Sequence, residues 1–368
     1  MRVAIAGYGI GGIAAAILLR RQGHEITHFE QTEALGPAGG GLLLQEAGLR
    51  ALDALGLAGA AKALGAPIAQ VEATSRHGTL FDLRYGRHAL GLQRGALLEL
   101  LRAADGGTVQ AGRRIADIDA RLGFLTDAQG ERFGPFDLIV AADGARSAVR
   151  ARLPELVKHQ RAYRWGALFA LLDDDTARFG GRLVQCFDGI EHVSLWPVGR
   201  LTPQAPPRVA VSWRVAMDAP SLPLETWKTR VAELYPDAAT LLAPLTAPQV
   251  AGYHEVCLKR FWRDRVVFLG DAAHATSPQL GQGAGLALGD ALALAAALAQ
   301  REKIADALEA YDAARRPLAW RYQRLSRILT PVFQSGSRTL AALRDRVFPL
   351  LNRLPFATRA MTSVLDGA

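Results

Sequence analysis

An α/β fold, a Rossmann-like nucleotide-binding domain joined to an antiparallel sheet domain, is predicted by three segments far apart in the 368-residue chain. In the first, Arg2-Val3-Ala4-Ile5-Ala6 leads into Gly7-Tyr8-Gly9-Ile10-Gly11-Gly12. In the second, residues 136–142 (FDLIVAA) end at Asp143-Gly144, and in the third Val266-Val267-Phe268-Leu269 ends at Gly270-Asp271. Each is an apolar strand that delivers glycine or a carboxylate to a turn. A parallel sheet presents its ligand-binding groups in this way, at its carboxyl edge.

Taken in order, the first segment is GxGxxG in register. Gly7 allows the tight turn, Gly9 lets a pyrophosphate approach the backbone, and Gly12 lets the helix pack on the strand. Residues 13–21 (IAAAILLRR) are helix formers stopped by Gly23, and residues 25–30 (EITHFE) read as a second strand ending in an acid. The helix N-terminus offers free N–H groups and partial positive charge to phosphates. Glu30 stands where a carboxylate would accept hydrogen bonds from an adenosine ribose. The order of strand, helix, strand and acid favours a dinucleotide, either NAD or FAD.

Residues 68–84 alternate in polarity and turn at His77-Gly78, which predicts a hairpin. Residues 109–133 supply further strands with a turn at 127–130. In the second segment Asp143 can accept from turn amides, Gly144 permits the reversal, and Arg146 could approach a phosphate. The stretch from Trp165 to about His254 is strand-rich, with runs at 167–171, 183–187, 192–196 and 208–214. Asp188-Gly189 is a hairpin signal, residues 203–207 form a Pro-rich loop, and residues 221–234 predict a helix. The second sheet thus draws strands from two separate parts of the chain. A long helix is expected from about Gly283 to Ala299. Beyond it Leu340, Leu343, Val347, Leu350 and Leu354 recur at helical spacing among arginines, with Pro349 and Pro355 breaking the run into short helices. Packing on the nucleotide-binding domain is expected of this segment; a basic amphipathic foot on a membrane surface is the alternative.

Composition narrows the function classes. The net charge is +8, but its arginines occur singly or in pairs along the chain, with no basic block interleaved with aromatics, so no nucleic-acid groove is expected. Cys186 and Cys257 are the only cysteines, which excludes a disulfide framework or a thiolate metal site. No convergent set of metal ligands is visible. The chain opens as a strand and not as a signal peptide, and no apolar run approaches the roughly 20 residues of a membrane span, so a cytoplasmic protein is expected.

With GxGxxG at 7–12, DGARSAVR at 143–150 and GDAAHATSPQLGQG at 270–283, the chain resembles the FAD-dependent group A monooxygenases. These are single-component aromatic hydroxylases similar in fold to para-hydroxybenzoate hydroxylase, with salicylate-hydroxylase-like members. The motifs span residues 7–290 in the family's order. The resemblance implies a glutathione-reductase-type FAD-binding domain built from 1–67, 92–157 and 255–330. It further implies an antiparallel substrate domain from 68–91 and 158–254, and a C-terminal helical segment, 331–368.

The resemblance also implies roles. Gly7, Gly9, Gly11 and Gly12 would hold the FAD pyrophosphate, Glu30 the adenosine ribose, and Arg94, at the start of a helix, would lie close to the FAD. Asp143, Gly144 and Arg146 belong to a motif linked with both FAD and NAD(P)H. Asp271 would bind the ribityl chain, and Pro278, Gly281, Gln282 and Gly283 would line the isoalloxazine, with the Pro278 backbone next to the site of OH transfer. The helix from Gly283 would turn its positive end toward the reduced flavin. FAD would be non-covalent and NAD(P)H a transient co-substrate, since no second dinucleotide fingerprint exists. The implied reaction is reduction of FAD, addition of O2 at the flavin C4a position as a hydroperoxide, and OH transfer to a small aromatic or heteroaromatic substrate by a monomer or homodimer.

Rival readings are a reductase or desaturase on the same fold, a quinone-pathway hydroxylase, and a non-enzymatic NAD-binding module; the last leaves Asp271 and the 281–283 loop unused. Three departures stand out: Gly285 where many relatives have Asn, Gly289 where Glu is common, and no Arg between Glu30 and Arg50. Gln185, His192, Trp196 and Trp213, with Arg214 and Tyr253, are the substrate-pocket candidates, their facing unknown without register. His274 reads as a structural hydrogen-bonding group.

Overall fold

The structure, a computed structural model, describes residues 1–37, 39–218, 222–334, 336–354, 356, 361 and 362. Its first sheet has six strands in the order Trp262–Arg263, Val266–Phe268, Leu138–Ala141, Arg2–Ala6, Glu25–Phe29, Val109–Gln110. All pairs are parallel except the edge strand Trp262–Arg263. Leu138–Ala141 and Val266–Phe268 are buried at every position, as a parallel sheet covered on both faces requires. Phe29, Ala6, Ala141 and Phe268 form one row of Cα partners across four strands. The turns that follow therefore open at one edge, spread over three interstrand steps, or roughly 14 Å. The three segments met in the sequence converge there because parallel pairing in register leaves them no other place.

The Gly283–Ala299 helix is the hub of this half, packed by helices Ile10–Arg21, Glu46–Ala54 and Ile304–Phe333. Its buried Leu288, Ala291 and Leu294 share a core with Ile13, Ala14 and Leu269. Small side chains let the helices approach. A Cβ on Gly11 would stand 2.6 Å from Leu269 Cδ1, so this glycine serves helix packing.

The second sheet has eight strands in the order Gln249–Leu258, Val157–Asp173, Arg208–Ala216, Glu191–Gly199, Arg182–Asp188, Ala66–Ser75, Gly78–Gln93, Gly41–Leu44. It is antiparallel apart from one pair, Arg182–Asp188 beside Ala66–Ser75, where the two contributing parts of the chain meet. The predicted hairpin closes over Arg76 and His77, with Ser75 opposite Gly78. Residues 188–191 form the second hairpin, with Gly189 at φ +55°. Gly41–Leu44, from the glycine stretch after Glu30, pairs with the outer edge of Gly78–Gln93. Helix Leu224–Leu234 covers one face through Trp227 and Val231, both fully buried.

The C-terminal helix Arg338–Leu351 departs from expectation in being unbroken. It runs through Pro349, giving up the one backbone bond that a proline cannot donate. It packs on Ile304–Phe333 of the nucleotide-binding half and also on Gly78–Gln93 of the second sheet. The reason is aromatic: Phe348 lies 6.0 Å from Phe81 and 5.5 Å from Phe333, between ring centroids. Pro355 lies outside the described residues. Among the described residues no helix is long and apolar enough to cross a membrane.

Candidate active site between the two sheets

At the carboxyl edge of the first sheet the backbone is crowded below and open above. Gly7 has φ +102°, and a Cβ there would stand 2.4 Å from Ala142 O; one on Gly12 would stand 2.1 Å from Gly7 O. Gly9, the residue capping helix Ile10–Arg21, has nothing within 4 Å of its missing Cβ. Glu30 accepts from the Tyr8 and Thr32 amides at 2.8 and 2.9 Å. His28, fully buried, sits 3.0 Å from Gly7 O through Nε2. Burial, helped by Arg20, pulls its pKa to about 4, against the Gly7 carbonyl and Glu30. The ring is therefore neutral at pH 7 and donates through Nε2.

Asp143 accepts from the amides of Ala148 and Val149 at 2.8 and 3.2 Å. Its other oxygen is buried without a partner among the described residues, and burial pushes the acid up. Gly144 has φ +81°, and Arg146 is exposed at this edge. The arginine that turns inward is Arg150, which donates to Ala272 O at 2.8 Å and Ala145 O at 2.6 Å and so ties the second motif to the third. Sequence reading missed it, since nothing in DGARSAVR says which arginine is buried.

The third motif is braced from beneath. Asp290 Oδ2 accepts from the Gly270 amide at 2.8 Å and lies 2.6 Å from His274 Nε2, while Oδ1 accepts from Arg315 at 2.7 Å. Burial alone would raise this carboxyl, but His274 and Arg315 hold it at about 2. His274, buried and bonded to Asp290, is thus committed to the turn. Asp271 is left exposed at the edge. Gly281 has φ +64°, and Gln282 caps the Gly283–Ala299 helix with its buried Nε2 lacking a partner among the described residues.

Between this edge and the second sheet lies a cavity of about 820 Å³. Its floor is Arg94, Asp271, Pro278, Gly281 and Gly283, with the Gly39-Gly40-Gly41 stretch beside them. Its roof is the sheet, through Gln185, His192, Ser194, Trp196, Ser212, Arg214 and Tyr253. Trp213 is not among them. Alternation along Arg208–Ala216 sends Ser212 and Arg214 to the cavity and Trp213 to the opposite face, where it joins Trp227 and Val231 in a core. It is removed from the substrate candidates on that ground.

The roof is polar and poorly satisfied. Arg214 is 9% exposed, and its Nε and one Nη have no partner among the described residues; its guanidinium lies 4.1 Å from the Trp165 ring. Burial lowers its pKa and Glu191 opposes this. His192 stacks on Phe187 at 4.2 Å and meets Ser194 Oγ at 2.9 Å. Burial, with Arg344 and Arg214 nearby, lowers it to about 3, so it is neutral. Ser194 also accepts from Gln185 at 3.2 Å. Burial raises the Tyr253 hydroxyl to about 12, which makes it a hydrogen-bonding group and not a base at neutral pH.

These residues fit FAD. The Gly7–Gly12 turn is a cradle that any Cβ would fill, Asp143 has a buried acceptor to spare, and the helix N-terminus behind Gly283 opens into the cavity. The chain matches the family model described as FAD binding domain over residues 1–326. It is 28% identical over 336 residues to the FAD-dependent urate hydroxylase of Klebsiella pneumoniae subsp. pneumoniae, covering 86% of each chain. It is 30% identical over 324 residues to a 2-heptyl-3-hydroxy-4(1H)-quinolone synthase of Mycobacteroides abscessus, covering 85% of each. Among solved structures it resembles the tetrameric form of 2-methyl-3-hydroxypyridine-5-carboxylic acid oxygenase, with TM-score 0.81 and 25% identity over 95% of this chain and 97% of that one. Motifs, edge geometry and relatives agree, and the chain belongs to the family of FAD-dependent aromatic hydroxylases.

Proposed function

We propose that this enzyme hydroxylates a small aromatic or heteroaromatic substrate bearing an anionic or strongly hydrogen-bond-accepting group, which docks on Arg214. The observation that carries this reading is the buried Arg214 guanidinium, whose Nε and one Nη have no hydrogen-bond partner among the described residues, in the roof of the cavity that Pro278 and Gly283 floor. Buried donors of a cation left unmet are costly, and a ligand anion would satisfy them. Gln185, Ser212 and Tyr253 offer neutral hydrogen bonds beside it, and Trp196 supplies an apolar wall.

Bound FAD would supply the redox and oxygen chemistry, with NAD(P)H as reductant. The chain's own residues do the rest. Gly7, Gly9 and Gly12 leave room for the pyrophosphate, and Glu30 lies at the ribose end. Asp143 and Arg146 offer an acceptor and a cation at the outer edge, and Arg94 and Asp271 reach the cofactor from either side of the floor. Pro278, Gly281 and Gly283 would shape the surface beneath the cofactor's ring, with Gln282 buried beside them, and the helix terminus would favour negative charge there. The sheet that roofs the cavity would screen the reacting atoms from bulk water on that side. Neutral His192 and Tyr253 position substrate without taking its proton. A cytoplasmic monomer or homodimer is proposed; both cysteines are free and buried, as a reducing compartment would leave them.

NAD(P)H oxidation by the FAD-loaded protein across phenols, aromatic acids and nitrogen heterocycles, with oxygen uptake and product mass, tests this. Anionic ligands should stimulate oxidation and gain one oxygen atom, and Arg214→Gln should raise KM about 100-fold, the loss of a charged hydrogen bond of roughly 3 kcal/mol. Stimulation by neutral ligands alone, or products without added oxygen, would overturn it.

A further inference from the structure

The roof of the cavity changes character across its width. One row of Cα partners runs through Phe169, Ser212, Ser194, Gln185, Ala73 and Phe81 on six neighbouring strands. Hydroxyls and an amide occupy its middle; beyond Gln185 the row is carbon only. With strands about 4.8 Å apart, Phe81 lies roughly 10 Å past Gln185. Two more rings face it: Phe333 at 6.3 Å and Phe348 at 6.0 Å between centroids. Both are only partly buried, and all three line the same cavity as Pro278 and Arg214. Leu83 and Leu351 add to the wall, and Tyr85, two residues on from Leu83, also lines the cavity. Apart from the Tyr85 hydroxyl these side chains carry no donor or acceptor, so they favour apolar groups.

A single ring docked on Arg214 leaves this end of the cavity unused. We infer that the substrate is elongated and amphiphilic: its polar ring lies between Gln185 and Arg214, and an alkyl or aryl arm of about 10 Å extends under Phe81, Phe333 and Phe348. The inference rests on the proposed hydroxylase reading and names its substrate class. The outer wall of this compartment belongs to helix Arg338–Leu351, fixed to the sheet by Arg344, which donates to Gly189 O at 3.0 Å and lies 4.2 Å over the Phe187 ring. The compartment is therefore built and held, not a gap left by a loose terminus.

Titration of the FAD-loaded enzyme with 4-n-alkylbenzoates from methyl to octyl, read by the flavin absorption difference spectrum, tests the compartment. The dissociation constant should fall about fourfold per added methylene, the transfer value for a buried CH2, until the arm is filled. Leu83→Trp should shorten the longest chain that gains affinity, and Phe348→Ala should lengthen it. Affinity that is flat, falling or absent along the series, or a chain-length limit that neither variant moves, overturns the inference. Product mass on the same ligands separates the two readings. Length-dependent binding without oxygen transfer removes the hydroxylase and keeps the compartment; oxygen transfer without length dependence does the reverse.

Discussion

Gly9 and Gly12 are three residues apart and do different things, which substitution can separate. A methyl on Gly12 meets the Gly7 carbonyl at 2.1 Å, whereas one on Gly9 meets no protein atom within 4 Å. Gly12→Ala should cost the apoprotein roughly 1–3 kcal/mol by overpacking. Gly9→Ala should leave apoprotein stability unchanged and still weaken FAD binding, because its methyl enters the space kept for the pyrophosphate. Thermal melts of both apoproteins beside FAD fluorescence titrations read this out. Equal FAD affinity in Gly9→Ala and wild type would move the phosphate site elsewhere. Two of the departures from the family pattern find reasons at this scale. Gly285 abuts Gly48 of the neighbouring helix, whose own Cβ would lie 3.3 Å from Gly285 Cα. A Cβ on Gly289 would lie 3.0 Å from the Arg315 guanidinium, on its path to Asp290.

Asp290 joins four elements: the end of strand Val266–Phe268 through the Gly270 amide, the Asp271–His274 turn, the Gly283–Ala299 helix that carries it, and Ile304–Phe333 through Arg315. Removing its charge leaves Arg315 and His274 facing an amide in a dry interior. Asp290→Asn should cost about 3–5 kcal/mol, seen as a lowered unfolding midpoint, and an unshifted midpoint would reduce the cluster to packing. Elements of this half are legible in the sequence because a fully buried strand ending in Gly or Asp admits one reading, and parallel pairing forces those ends together. The substrate sheet is legible as strands but not as a surface. Alternation groups Ser212 with Arg214 and Val211 with Trp213, yet only the helix carrying Trp227 decides which pair is turned inward. The parallel pair at Arg182–Asp188 and the aromatic docking of the C-terminal helix depend on contacts across more than a hundred residues, for which local pattern holds no signal.

Over the whole molecule, acid should act earlier than carboxylate protonation would suggest. His28 has a folded pKa of about 4 against an ordinary 6.5, set by burial and by Arg20, with the Gly7 carbonyl and Glu30 opposing. Between those two values the unfolded chain holds a proton that the folded chain does not. Stability is therefore complete above pH 6.5 and falls by up to about 1.4 kcal/mol per unit as pH drops toward 4. Unfolding midpoints from pH 7.5 to 4.5 should show this slope together with an equal one from His192, whose folded pKa is about 3; His28→Gln should remove about half of the total, and parallel slopes in the two proteins would remove His28 as a cause.

The strand Val266–Phe268 completes the first sheet against Leu138–Ala141, which pairs on its other side with residues near the start of the chain. During synthesis more than a hundred residues must emerge after Leu138–Ala141 before that partner exists. Throughout this interval the nascent chain carries a bare, wholly apolar sheet edge, the feature most prone to intermolecular pairing. Yield in a heterologous host is then expected to respond to elongation speed and chaperone supply as well as to the stability of the finished enzyme.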